Sequence, residues 1–301
     1  MNFTIIIPSY DRCESLRRLL FGIDRHFGKV DIDHEVIVAN NAPDDESARR
    51  IEGVVGEFQQ NPRGRFRHVR ESSAGKCRAQ NAAIAQSKGS ILAFLDDDVE
   101  VSPDWLAVVA DFFRRTTFDA MQGSILMPPE VQEDEEFLRA YYRYRTIYFV
   151  QYPETFTEIK TLTGANMAIR REVFSRIGYF NEDLGPGRSG KSEDVEFAQR
   201  LRRRGGRIGY EPTAAVYHAV DWSRLTEDFF RQSHEQEGRS RLIYKKQSLP
   251  AIILNLMRST WTSGWYSLVG DERKRYRAKG RYFHYRAMLV EKTKRIRGID
   301  A

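Results

Sequence analysis

Apolar residues in the first 115 positions follow two periods. Phe3–Pro8 (FTIIIP), Glu35–Ala39 (EVIVA) and Ile91–Leu95 (ILAFL) are short apolar runs rich in β-branched residues. Such runs mark strands buried on both faces. Between them the period lengthens. Leu16, Leu19, Leu20, Ile23 and Phe27 fall on one helical face, with Asp11 where an N-cap would stand. A second helix is predicted over Asp45–Phe58 and a third strand over Phe66–Val69. A small-residue helix runs through Ala79, Ala82, Ala83 and Ile84 after Gly75. Ser102-Pro103 supplies a cap and first turn for a helix bearing Leu106, Val109, Phe112 and Phe113. This alternation predicts an α/β fold, a doubly wound and mostly parallel sheet with helices on both faces. Ligands of such sheets sit beyond the carboxyl ends of the strands. Those ends carry Pro8-Ser9-Tyr10-Asp11, Asn40-Asn41 and Asp96-Asp97-Asp98. After Thr226 the chain turns helical, basic and aromatic, so the expected division is a ligand-binding domain over 1–225 and a helical appendage over 226–301.

Composition sharpens this picture in three ways. With 41% hydrophobic residues in 301, the chain has material for a large core. No apolar run approaches the ~20 residues of a membrane span, and the run Ala251–Met257 is interrupted by Asn255. Two cysteines make no disulfide framework, and no basic stretch precedes the apolar N-terminus, so the expectation is a cytoplasmic protein without a signal peptide. The net charge of +6 is unevenly spread: residues 271–301 hold 11 Lys/Arg against 4 Asp/Glu. Such a tail suits a solvated helical face, an anionic membrane surface or nucleic acid. No nucleic-acid-binding motif accompanies the charge, and nucleic acid is not expected as a partner.

Four constellations carry candidate chemistry. Asp96–Asp98 suits a hard divalent ion, and equally an acidic turn before a helix. Ser192-Glu193-Asp194 reads either as a cap with acidic first-turn residues or as a carboxylate positioned for general base work. Gly185, Gly190, Lys191 and Ser192 match a phosphate-loop pattern to the letter. No strand precedes them, however, and Glu193-Asp194 would set negative charge against a triphosphate. The better reading is a flexible loop able to close over a ligand, with Arg188 and Lys191 meeting a phosphate. His218 is either a structural histidine or a metal ligand beside Asp98.

In order, the segments IIIPSYDR, VIVANNAPDD, GKCRAQN, FLDDDV, TGANMAIRREVF, SEDVEFAQRLRRRG and GYEPTAAVYH resemble family-2 glycosyltransferases, inverting enzymes of the GT-A fold. The resemblance covers roughly Asn2 to Trp222. It implies that Pro8, Ser9, Tyr10 and Asp11 line the nucleoside site, with Asn41 near the base and Lys76 or Arg78 near the diphosphate or base. Asp96 would contact the ribose, with Asp97 beside it in the donor site. Asp98 and His218 would bind Mn²⁺ or Mg²⁺. Gly164, Ala165 and Asn166 would sit by the donor sugar and acceptor, and Asp194 of the Glu193-Asp194 pair would be the general base. The implied donor is a nucleotide sugar, UDP-linked by first expectation and dTDP- or GDP-linked as alternatives. The implied acceptor is a glycan or lipid-linked hydroxyl. One departure bears on the base: Asn40-Asn41 stands where the family often has Asp-Asp. Because such acceptors lie at membranes, the tail 271–301 is expected to touch the inner membrane face peripherally, a soluble homodimerisation or structural helix being the other reading. A nucleotidyltransferase would need a Gly-rich basic loop after the first strand, which PSYDRCES does not supply. A non-catalytic nucleotide-sugar-binding protein would not need Asp98, Asp194 and His218 together.

Overall fold

The structure, a computed structural model, describes residues 1–27, 31–59, 65–153, 155 and 157–297. The chain divides into two compact units. The first comprises Met1–Pro128, Phe149–Glu182 and Glu193–Ala219. The second comprises Pro129–Tyr148, Asp183–Ser192 and Val220–Ala301.

The first unit follows the predicted alternation. In chain order it runs β1 (Phe3–Ser9), α1 (Cys13–Phe27), β2 (His34–Asn40), α2 (Asp45–Gly56), β3 (Arg65–Arg70), α3 (Lys76–Gln86), β4 (Ile91–Leu95), β5 (Val99–Val101), α4 (Trp105–Arg115) and β6 (Ala120–Leu126). After α5 (Glu135–Tyr144), which belongs to the second unit, come β7 (Glu158–Ile159), β8 (Asn166–Arg170), α6 (Arg171–Ile177), α7 (Glu193–Arg203) and β9 (Ile208–His218). Among the described residues these strands form one sheet in the order β3-β2-β1-β4-β8-β6-β9-β5, with β7 on β9. Strands β1 to β4 pair in parallel, as their apolar runs imply. Beyond β4 the sheet is mixed: β8 is antiparallel to both neighbours, and β9 is parallel to β6 but antiparallel to β5 and β7. The sheet is thus wholly parallel in its N-terminal half and mixed beyond it.

Strand alternation splits the core in two. Phe3, Ile5 and Ile7 of β1 pack under α1, α2 and α4, while Ile6 joins Phe94, Phe174, Phe180 and Phe197 on the opposite face, with α3, α6 and α7. The predicted stripe Leu16, Leu19, Leu20, Ile23 and Phe27 is buried throughout. Helix starts differ in detail. Asp11 caps nothing and pairs with Arg50 at 3.0 Å. Helix α4 begins at Trp105 rather than at Ser102-Pro103, and the Ser102 carbonyl accepts the Trp105 N–H at 3.1 Å.

The second unit contains α5, α8 (Glu227–Tyr244), α9 (Leu249–Leu268) and α10 (Glu272–Arg297). Thr226 caps α8 by accepting the Phe229 N–H. Its aromatic centre is Phe230, with Tyr144, His234, Tyr276 and Phe283 around it. Residues 298–301 of the basic tail lie outside the described residues.

Candidate active site

The carboxyl end of β4 opens into three aspartates whose side chains take different partners. Asp97 is buried and accepts the Ser9 hydroxyl at 2.8 Å. Burial, and then the charge of Asp98, pushes its carboxyl up to about 6. Asp98 accepts a hydrogen bond from Arg12, whose Nη1 also lies 3.5 Å from Asp97 Oδ1. Asp96 accepts the Lys76 ammonium at 2.6 Å. Burial alone would raise the Asp96 carboxyl, but Lys76 holds it below the usual carboxylate range.

Sheet pairing brings His218 to these aspartates from 120 residues downstream. Val99 stands opposite His218 in the β5–β9 ladder, and the Ala219 N–H donates to the Asp98 carbonyl at 2.9 Å. His218 Nε2 then lies 3.6 Å from Asp98 Oδ1. Its Nδ1 is 2.8 Å from the Ala219 carbonyl, which can only accept, so in the neutral ring Nδ1 carries the proton and Nε2 presents a lone pair. Asp96, Asp98 and His218 each offer one ligand atom, all within 4.8 Å of one another. Two carboxylate oxygens and one imidazole nitrogen fit Mn²⁺ or Mg²⁺ better than a soft ion.

A second acidic pair stands in the first turn of α7. Glu193 is buried, with Lys76 Nζ 3.8 Å from its Oε1. Asp194 Oδ2 accepts the Gly164 N–H at 3.1 Å, and Oδ1 accepts the Val195 N–H at 2.7 Å. Burial, then the charge of Asp194, pushes Glu193 up to about 7 against the pull of Lys76. Burial also raises Asp194, while the Gly164 N–H and Lys76 hold part of that rise back. Lys76 answers both groups: its own burial opposes the charge, but Asp96 and Glu193 overcome this and raise its pKa. One ammonium therefore ties the β4 carboxylates to the α7 carboxylates.

Several expected ligand contacts are committed elsewhere. Asn41 donates through its amide to the Glu71 and Ser73 carbonyls at 2.8 and 2.9 Å, and its Oδ1 accepts the Gly75 N–H at 2.9 Å. The side chain expected to read the base instead pins the loop before α3. Both carbonyl contacts need an N–H₂, so an aspartate could not replace this asparagine. Asn166 is likewise saturated: it accepts from Trp105 Nε1 at 2.9 Å and donates to the Ser124 and Ala214 carbonyls at 2.8 Å each. Fully buried, it knots β6, β8 and β9 together rather than facing a sugar. Gly123 sits against this knot, where a Cβ would run into the Ala214 carbonyl and the Asn166 amide.

Of the remaining candidates, Pro8 is buried in β1 opposite Ala39, and Tyr10 is 53% exposed. Ala165 is buried, and Gly164 contributes the N–H that holds Asp194. Arg78 pairs with Glu182 at 3.4 Å. Arg188 and Lys191 belong to the second unit, where Arg188 pairs with Asp183 at 3.8 Å and Lys191 meets Tyr148 and Ser233. The letter-perfect phosphate-loop segment is a series of turns with no strand before it. Arg12 is the site residue that motif reading passed over. Its signal was a cation directly after the first strand's Pro8–Asp11 end, facing an acidic triplet.

Comparison with known proteins gives the chain a family and a fold. The family model for glycosyl transferase family 2 matches residues 4–178. The succinoglycan biosynthesis protein ExoM of Rhizobium meliloti is 27% identical over 70% of this chain and 65% of its own length. A glucosyl-dolichyl phosphate glucuronosyltransferase of Haloferax volcanii is 24% identical over 56% of this chain and 57% of its own. The chain therefore spans under two thirds of either relative. In fold it is similar to the mannosyltransferase PcManGT of Pyrobaculum calidifontis, solved in complex with GDP-Man and Mn²⁺. That alignment has a TM-score of 0.61 at 17% identity and covers 99% of this chain and 88% of that one.

Proposed function

The chain belongs to glycosyl transferase family 2, and from that membership we propose that it is a metal-dependent, inverting glycosyltransferase of the GT-A fold. Its donor is a UDP-, dTDP- or GDP-linked sugar, and its acceptor is a hydroxyl of a glycan or lipid-linked glycan. The observation that carries this reading is the Lys76 bridge. It joins a set of metal-ligand type, Asp96, Asp98 and His218, to a carboxylate pair of raised pKa, Glu193 and Asp194.

Asp98 and His218 would hold Mn²⁺ or Mg²⁺ with Asp96 beside them, and the bound cation would stabilise the charge growing on the leaving diphosphate. Arg12, half exposed beside Asp97 and Asp98, adds a guanidinium suited to diphosphate oxygens. Asp194 accepts the proton of the acceptor hydroxyl as that oxygen bonds to the anomeric carbon. On the opposite side of that carbon the bond to the diphosphate breaks, so a single displacement inverts the configuration. The raised pKa of Asp194 brings it nearer the pH at which a general base works well. Glu193 and Lys76 set the charge around it without touching substrate. The named partners of similar proteins support the substrate classes: GDP-Man with Mn²⁺ in one, and a dolichyl-phosphate-linked glucoside in another.

The test is nucleoside diphosphate release from a panel of nucleotide sugars with Mn²⁺. Asp194→Asn should lower turnover on the order of 100-fold or more while keeping Mn²⁺-dependent nucleotide binding. Unchanged turnover would remove Asp194 from the role of base.

A further inference from the structure

In the second unit, α9 is amphipathic the wrong way round for a packed helix. The side turned inward on α10 is mostly small or polar, its buried residues being Ile252 and Ser259. The opposite side carries Leu254, Met257, Trp261, Trp265 and Leu268, exposed by 67, 64, 69, 52 and 86%. Their spacing of three or four residues places all five within one narrow stripe. At 1.5 Å per residue the stripe is about 21 Å long. The two indoles stack on each other, with ring centroids 6.2 Å apart. An exposed apolar stripe of this size marks an interaction surface.

Charge identifies the partner. From Lys245 to Gly270 the chain contains Lys245, Lys246 and Arg258 and not one Asp or Glu. At the start of α9, Lys245, Lys246, Lys292 and Arg295 line a cavity of about 410 Å³ whose lining includes no carboxylate, Arg295 also pairing outside it with Glu291 at 3.4 Å. A second copy docked on this stripe would bring like charges together, whereas an anionic lipid surface neutralises them. The helix is not long and apolar enough to cross a bilayer. Tryptophans flanked by Leu and Met on one side and bounded by cations suit a helix lying in the headgroup boundary.

Some of the basic tail's cations are tied up in ion pairs. Lys279 pairs with Glu227, Arg275 with Glu272, Arg286 with Glu235, and Arg295 with Glu291. Glu272 and Glu291 already stand among the tail's four acids, so only the pairs with Glu227 and Glu235 of α8 reduce its excess, and the tail's own Lys292 and Arg295 line the cavity with Lys245 and Lys246.

We propose that α9 is a peripheral docking helix for an anionic bilayer. Leu254, Met257, Trp261, Trp265 and Leu268 enter the acyl boundary, and the Lys245–Lys246–Lys292–Arg295 cavity receives a lipid phosphate. The inference stands on the second unit alone, independently of the glycosyl-transfer reading. Vesicle co-sedimentation of the full chain tests it, comparing phosphatidylglycerol-containing with pure phosphatidylcholine vesicles. The wild type should pellet with the anionic vesicles and not with the neutral ones, and its tryptophan emission should shift to the blue. The triple variant L254Q/W261Q/L268Q alters only exposed side chains, so it should keep wild-type helix content by circular dichroism. It should lose binding by about tenfold or more. K245E/K246E should lose it on the order of tenfold and flatten the salt dependence. The proposal is overturned if the triple variant binds as the wild type does. It is also overturned if the wild type ignores anionic vesicles, and a dimer that the triple variant converts to monomer in light scattering would then make a second copy the occupant.

Discussion

Lys76 stands between Asp96 and Glu193, 2.6 and 3.8 Å from their oxygens. Its charge lowers the carboxyls of Glu193 and Asp194, which burial pushes up. Removing that charge in Lys76→Met should therefore raise both carboxyls further. A base that must be ionised is then protonated, and its activity lost, earlier as the pH falls. The acid limb of the kcat/KM profile should move upward by about one unit or more, and an unmoved limb would show that the bridge does not tune the base. Glu193 also makes a stability prediction. Its folded pKa of about 7 lies above the ordinary glutamate value, so the folded state holds more protons than the unfolded one between them. Stability is therefore lost as pH rises through that window. Glu193→Gln should flatten this dependence, raising Tm relative to wild type at pH values above about 7 and much less in acid. At this scale the sequence offered Asp98, His218, Glu193 and Asp194 as candidates, with their roles implied only by the family resemblance. Their partners were not legible. Nothing in GKCRAQN says that its lysine turns to two carboxylates rather than to a diphosphate, because that depends on how α3 and α7 meet β4.

At the scale of elements, the Asn166 knot explains why three strands that are remote in sequence hold one register. Asn166→Ala would leave the Trp105 indole N–H and the Ser124 and Ala214 carbonyls buried without their partner. Each such loss costs ~1–3 kcal/mol, so urea denaturation should show a destabilisation of about 2–5 kcal/mol. A loss below about 1 kcal/mol would mean that the knot is dispensable. The hydrophobic pattern located β1 to β4 and α1 to α4 closely, since continuous apolar runs and one-sided helical stripes report burial directly. It missed the antiparallel pairings beyond β4. In β8, the run Asn166–Arg170 (NMAIR) states that a strand is buried but not which way it runs. Direction is set by the crossover that precedes it, which has no signature of its own. The starts of α1 and α4 were read one and two residues early, because Asp11 and Ser102 are good capping types that the tertiary structure does not use as caps.

At the scale of the molecule, seven motif segments spread over two hundred residues were enough to read the family. The ladder between β5 and β9 shows why they must co-occur: without it His218 has no route to Asp98. The uneven charge was equally legible, but its meaning was not. Counting places the positive excess in residues 271–301, while the exposed apolar stripe without acids lies on α9, ahead of that excess in the chain. The account as a whole rests on a single cation held by residues from two distant stretches of chain. Mn²⁺-dependent binding of nucleoside diphosphates by calorimetry, run on wild type, Asp98→Asn and His218→Ala, tests that directly. We expect nucleotide binding by the wild type to require Mn²⁺ and to be lost with a chelator. Both variants should bind nucleotide weakly and without metal dependence, with their folds intact by circular dichroism. Wild-type, Mn²⁺-dependent affinity in either variant would contradict the account.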